Sequence, residues 1–129
     1  MQEQAQAFIR QYGVQSAWKV ATTFSGTRND PGERGRITGI GTENFCPGAM
    51  TVGVITGILD ELYQQYQKMC ELTGKKAKRM VGSGNGLRQN PLMQKLVQEM
   101  FGLELKLSRY QEEAACGAAL CCLQAFQRN

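Results

Sequence analysis

Apolar positions recur at helical spacing in several stretches of this chain, and short β-type runs lie between them. Over residues 47–70, Ile55, Ile58, Leu59, Leu62, Tyr66 and Met69 fall on one face, which predicts the longest helix. Gly74 is its C-terminal stop. Within it Gly53 and Gly57 stand one turn apart, a spacing that suits close packing of the helix on a sheet. Asn90-Pro91 opens a second long helix, since Asn suits the N-cap and Pro the first helical position. Met93, Leu96, Val97 and Met100 would be its buried face, and Gly102 ends it. Residues 112–126 predict a third, small-residue helix with two glutamates in its first turn, where they complement the helix dipole. Residues 1–12 are polar with apolar points at Ala5, Phe8 and Ile9, a short amphipathic helix stopped by Gly13. Strands are expected at 18–24, 36–40, 78–81 and 103–107. Gly26, Asn29, Pro31 and Gly32 make 25–35 a turn-rich connection. The order β-β-α-β-α-β-α implies an α/β fold with a sheet that is parallel over its second half.

The segment from Met80 to Gln94 carries the most chemistry. A β-type run enters a loop with glycines at 82, 84 and 86, and a helix follows at Asn90-Pro91. Strand, glycine loop and helix start are the parts of a phosphate or nucleotide cradle, because glycines let a ligand approach the backbone closely. In open α/β sheets ligands sit at the carboxyl ends of the strands, where this loop lies. It is not a common nucleotide motif: Leu87 stands where the dinucleotide fingerprint needs a third glycine, and the Gly-Lys-Ser/Thr of the P-loop is absent. The competing interpretation is a tight connection whose glycines serve only the turn.

Composition narrows the chemistry. The chain of 129 residues fits one domain, 1–129. It has no histidine, which removes Ser-His and Cys-His nucleophilic pairs and any His metal ligand. Its two aspartates, Asp30 and Asp60, have no evident acid–base partner. The five cysteines (46, 70, 116, 121 and 122) are odd in number and contain no C-x-x-C. With no secretory leader, they read as reduced thiols in a cytoplasmic protein. No membrane partner is expected, since the longest apolar run is about half the ~20 residues that span a bilayer. The net charge of +4 equals the contribution of Lys75, Lys76, Lys78 and Arg79. That run reads first as a solvated loop and second as a phosphate- or nucleic-acid-facing patch.

Three blocks, in order, resemble the C-terminal part of the FGGY family of carbohydrate kinases, most closely its sedoheptulokinase-like members. Phe24-Ser-Gly-Thr-Arg-Asn-Asp-Pro31 with Arg34-Gly35 is similar to the family's G-x-R-x-P … R-G segment. Residues 81–94, Val-Gly-Ser-Gly-Asn-Gly-Leu-Arg-Gln-Asn-Pro-Leu-Met-Gln, resemble its adenosine loop and the helix behind it. Residues 112–120 resemble its E-x-x-x-x-G-A-A helix. The resemblance covers 18–126. It implies part of a ribonuclease-H-like (actin-like ATPase) domain, the nucleotide-side domain of a two-domain kinase. It also implies a nucleotide site at Gly82, Ser83, Gly84, Asn85, Gln89 and Asn90. Gly84 and Asn85 would pass over the adenine, Asn85 departing from the Gly-Gly of many relatives. Gln89 or Asn90 would bring an amide to the adenine edge, and Gln94 would tie the helix to the loop.

The resemblance further implies that the intact enzyme uses ATP and Mg2+ to phosphorylate a sugar hydroxyl. The catalytic Asp, the sugar contacts and the phosphate-holding hairpin would belong to upstream sequence. The chain thus reads as a domain incomplete on its N-terminal side, with no catalytic residue or metal ligand of its own and inactive alone. An adenine nucleotide is the expected partner, the sugar only through the missing domain. Nucleic acid is not expected. A homodimer is expected because a lost leading hairpin leaves an open sheet edge; the alternative is that residues 1–12 fold back over the bare surface. Two other functions compete: a stand-alone nucleotide- or phosphate-binding module using the glycine loop and the basic run, and a self-associating protein without catalysis.

Overall fold

The computed structural model describes residues 1–127, which form two compact units, 1–76 and 77–127. The first contains α1 (Gln2–Tyr12), a 3-10 turn (Val14–Ser16), β1 (Lys19–Ala21), β2 (Arg36–Thr38) and α2 (Pro47–Thr73). β1 and β2 pair antiparallel, with Val20 opposite Ile37. α2 lies on β1, and α1 lies on the first half of α2. Ala49 and Val52 are fully buried, Leu59 nearly so, and Phe8, Trp18 and Val20 complete the core.

The glycines of α2 explain this packing. A Cβ on Gly53 would strike the Trp18 carbonyl oxygen, and one on Gly57 the Val20 carbonyl oxygen. The bare helix backbone therefore rests on the strand backbone, as the one-turn spacing suggests. This moves the buried face away from the expected one. The buried positions are Gly48, Ala49, Val52, Gly53, Ile55 and Leu59, whereas Ile58, Leu62 and Met69 are exposed. Large side chains cannot face a strand at this distance, so the small-residue stripe goes inward. The helix also runs three residues further than the apolar pattern shows, to Gly74 in the left-handed conformation (φ 63°).

A buried asparagine holds the loops of this unit. The Asn44 Nδ2 donates to the carbonyls of Ser16 and Gly39, both at 2.9 Å, and its Oδ1 accepts from the Gly41 N–H at 2.8 Å. Its own carbonyl accepts from the Trp18 Nε1–H at 2.9 Å. Three backbone groups thus meet at the side chain, and Trp18 at the main chain, of one residue that is 7 % exposed.

The second unit contains β3 (Met80–Gly82), a one-turn helix α3 (Asn85–Arg88), α4 (Pro91–Phe101), β4 (Leu105–Leu107) and α5 (Glu113–Gln127). β3 and β4 pair parallel, with Val81 opposite Lys106. The Asn90 Oδ1 accepts from the Met93 N–H at 3.0 Å, which caps α4, and Gly102 ends it at φ 63°. Its core side chains are Leu92, Leu96 and Val97; Met93 and Met100 are only half-buried.

All four strands are three residues long, shorter than the sequence pattern suggests. β1 stops because 22–26 turns, with the Phe24 N–H on the Thr22 carbonyl and the Gly26 N–H on the Thr23 carbonyl. β2 stops at Gly39, which takes φ 74°. The strands form two separate pairs among the described residues. No helix among those residues is long and apolar enough to cross a membrane.

Candidate functional site

The glycine loop lies at the carboxyl end of the parallel pair, and the structure gives its three glycines different jobs. Gly82 is buried at the end of β3. A Cβ there would meet the side chains of Leu87 and Leu105, so this glycine serves packing, and its carbonyl accepts from the Ser108 N–H at 2.8 Å. Gly84 takes φ 90°, a conformation that side chains disfavour, and open space lies where its Cβ would be. Gly86 is also open on that side. Ser83 and Asn85 are exposed beside them.

Residues 85–88 form the helical turn α3, which the sequence pattern hides. Gly84 and Gly86 are poor helix formers, yet the Arg88 N–H reaches the Gly84 carbonyl at 3.1 Å and the Gln89 N–H the Asn85 carbonyl at 2.9 Å. The turn is braced from α4. The Gln94 Nε2 donates to the carbonyls of Leu87 and Arg88 at 2.9 and 3.0 Å, the tie expected of it. One turn on, the Gln98 Oε1 accepts from the Leu105 N–H at 2.9 Å, which fixes the start of β4. Two glutamines on one helix thus hold the loop and the neighbouring strand.

Arg88 is the residue that sequence reasoning missed. Its Nη2 donates to the Ser108 carbonyl (3.0 Å), the Tyr110 carbonyl (2.8 Å) and the Glu113 Oε1 (3.0 Å). It therefore ties the glycine loop to the turn after β4 and to the first turn of α5. Its Nε–H is buried without an acceptor. The Glu113 carboxyl is held below its ordinary value, first by its own backbone N–H at the helix start. The Arg88 guanidinium, the Ser108 hydroxyl and the Gly84 N–H act in the same direction, and partial burial opposes them. The signal for this pair lay only in the first-turn glutamates; an arginine in a loop has no periodicity to betray its partners.

The six expected site residues lie between the last residue of β3 and the N-cap of α4, in two groups (82–85 and 89–90) on either side of 86–88, and their roles divide. Gly84, with open space above it, and the exposed Ser83, Asn85 and Gln89 offer a surface to a ligand. Gly82 is packed beneath it. The Asn90 oxygen is committed to its cap, which leaves that residue's NH2 as the group available for an edge contact. Among the described residues, no group of three or more His, Cys, Asp or Glu could hold a metal ion. The five cysteines are unpaired.

No curated protein and no solved structure gives a significant match to this chain. Residues 17–126 match the FGGY family of carbohydrate kinases, C-terminal domain. That span includes both strand pairs, the glycine loop with its Gln94 and Arg88 supports, and α5 up to Phe126, while α1 lies outside it. The chain therefore belongs to the FGGY carbohydrate kinases and corresponds to their C-terminal domain, whose fold is of the ribonuclease-H-like, actin-like ATPase type.

Proposed function

We propose that this chain supplies the adenosine side of the ATP site in a sugar kinase of sedoheptulokinase-like type. Gly84 and Asn85 lie over the base, Ser83 is beside them, and Asn90 or Gln89 brings an amide to the adenine edge. The observation that carries this reading is the open shelf at 84–86, at the carboxyl end of a parallel strand pair and braced from beneath by Gln94. The two units, on this reading, are parts of one domain. On this reading the catalytic base, the sugar contacts and the residues that hold Mg2+ and the phosphates would be supplied by the kinase's other domain. Phosphoryl transfer depends on positioning and charge neutralisation around the phosphates. A chain that binds only base and ribose catalyses none by itself.

ADP is expected to bind in the high micromolar range or more weakly, because a dissociation constant of 1 mM is about −4 kcal/mol, roughly the yield of one stacked base and a few hydrogen bonds. Titration with ADP while following backbone amide shifts checks this. Shifts centred on 82–90 are expected; a centre elsewhere would count against the adenosine reading.

The chain is also proposed to form a homodimer. α1 folds over the first half of α2, with Ala5 and Phe8 buried. Further along α2, Leu62 is 54 % exposed, Met69 60 % and Leu72 88 %. Every strand is an edge strand among the described residues. Edges and apolar stripes of this kind are templates for another copy, and a two-fold pairing closes them without further growth. Sedimentation at micromolar concentration is expected to give twice the 14.3 kDa chain mass; a sharp boundary at the chain mass sinks the proposal.

A further inference from the structure

We infer that Arg88 is a positioning residue of the nucleotide site, an inference that rests on the adenosine reading of the glycine loop. The geometry is that of a latch. Arg88 ends the one-turn helix α3, so its backbone belongs to the glycine loop, and its Nη2 reaches three acceptors 20 to 25 residues away: the carbonyls of Ser108 and Tyr110 and the carboxylate of Glu113. Those acceptors lie in the turn after β4 and in the first turn of α5. The loops that follow the two parallel strands are thereby fixed to one another.

Gln94 holds the same helical turn from the α4 side through the carbonyls of Leu87 and Arg88. Arg88 holds it from the other side. The turn 85–88 is short and carries a glycine at 86, so it has little intrinsic order. Its fixed position comes from these two side chains, and with it the placement of Gly84 and Asn85. A loop fixed before the ligand arrives spares the ligand the cost of ordering it.

The latch also has one unused connection. The Arg88 Nε–H is buried and has no acceptor. Lying buried against the loop that Arg88 fixes, this N–H is a reporter of any change in the loop's surroundings when a nucleotide binds.

The experiment is an ADP titration of the full chain and of Arg88→Lys, Arg88→Ala and Glu113→Gln, following loop amides together with the Arg88 Nε–H resonance. Arg88→Ala removes three charge-assisted contacts and is expected to weaken ADP binding about tenfold or more, tenfold being about 1.4 kcal/mol. Arg88→Lys keeps the charge but not the fork, and should recover part of the loss. Glu113→Gln removes one acceptor charge and keeps both carbonyl contacts, so its loss should be about threefold or less. In the unmodified chain the Arg88 Nε–H should shift with the same midpoint as the loop amides. Loop amides that titrate while Arg88→Ala and Arg88→Lys keep the original midpoint, or while the Nε–H stays fixed, would overturn the inference. If Arg88→Ala loses the dispersed amides of 77–127, Arg88→Lys decides in the same way: weakened binding supports the latch, unchanged binding overturns it. Absence of any response at 82–90 in the unmodified chain removes the adenosine reading itself, and this inference with it.

Discussion

Substitution of Gly57 by alanine is expected to destabilise the first unit by about 2–4 kcal/mol, a large effect for one added methyl group. The new Cβ meets the Val20 carbonyl oxygen, with the Val20 carbonyl carbon at 3.1 Å and the Thr22 methyl at 3.3 Å behind it. A carbonyl of a paired strand cannot rotate aside as a side chain can. α2 must lift from β1, and the burial of Val52, Leu59 and Val20 is lost in part. Each such side chain contributes about 1.5–3 kcal/mol when fully buried. Better helix propensity returns only about 1 kcal/mol. Gly53→Ala should behave alike, against the Trp18 backbone. Gly117→Ala is the control: it lies in α5 with nothing within 4 Å, and should be neutral or slightly stabilising. Urea unfolding followed by the fluorescence of Trp18, the single tryptophan, reports on this unit. An unchanged midpoint for Gly57→Ala would mean that α2 does not rest on β1.

Asn44→Ala is expected to cost about 3 kcal/mol or more. The change deletes both amide donors and the oxygen acceptor, and leaves the carbonyls of Ser16 and Gly39 and the N–H of Gly41 without their partner. A backbone group left unpaired on burial costs about 1–3 kcal/mol, and solvent entering the gap recovers some of this. The Asn44 carbonyl that receives the Trp18 indole survives the substitution but loses the side chain that fixes its loop. The indole emission should therefore shift towards the solvent-exposed value before global unfolding. Coincident unfolding curves with an unshifted native spectrum would show that the asparagine is dispensable.

The contrast between these two sites explains what the sequence could and could not reveal. Helix ends were legible because they depend on local chemistry: Asn90-Pro91, Gly74 and Gly102 act within a turn of themselves. The place of the glycine loop between β3 and α4 was legible for the same reason, and the tie made by Gln94 through the family resemblance. The buried face of α2 was not. Periodicity weighs large apolar residues, whereas here the contact is made by the absence of side chains at Gly53 and Gly57. α3 was hidden by its own glycine. Asn44, Arg88 and Gln98 were silent because a polar residue's value lies in partners: Asn44 reaches back 28 residues to Ser16, and Arg88 forward 25 to Glu113. Nothing in their immediate neighbourhood marks them.

The ionised carboxyl of Glu113 has a consequence for how a nucleotide could lie. Strand, glycine loop and helix start make a shape that elsewhere collects phosphate through exposed N–H groups. Here the Gly84 N–H already faces a carboxylate, which Arg88 and the start of α5 keep charged. Arg88 pairs with that carboxylate at 3.0 Å, so the position carries little net charge, and the Gly84 N–H is not a free donor for an anion. On the proposed adenosine reading, the open shelf at 84–86 would therefore take the uncharged base, and the phosphates would find their donors elsewhere.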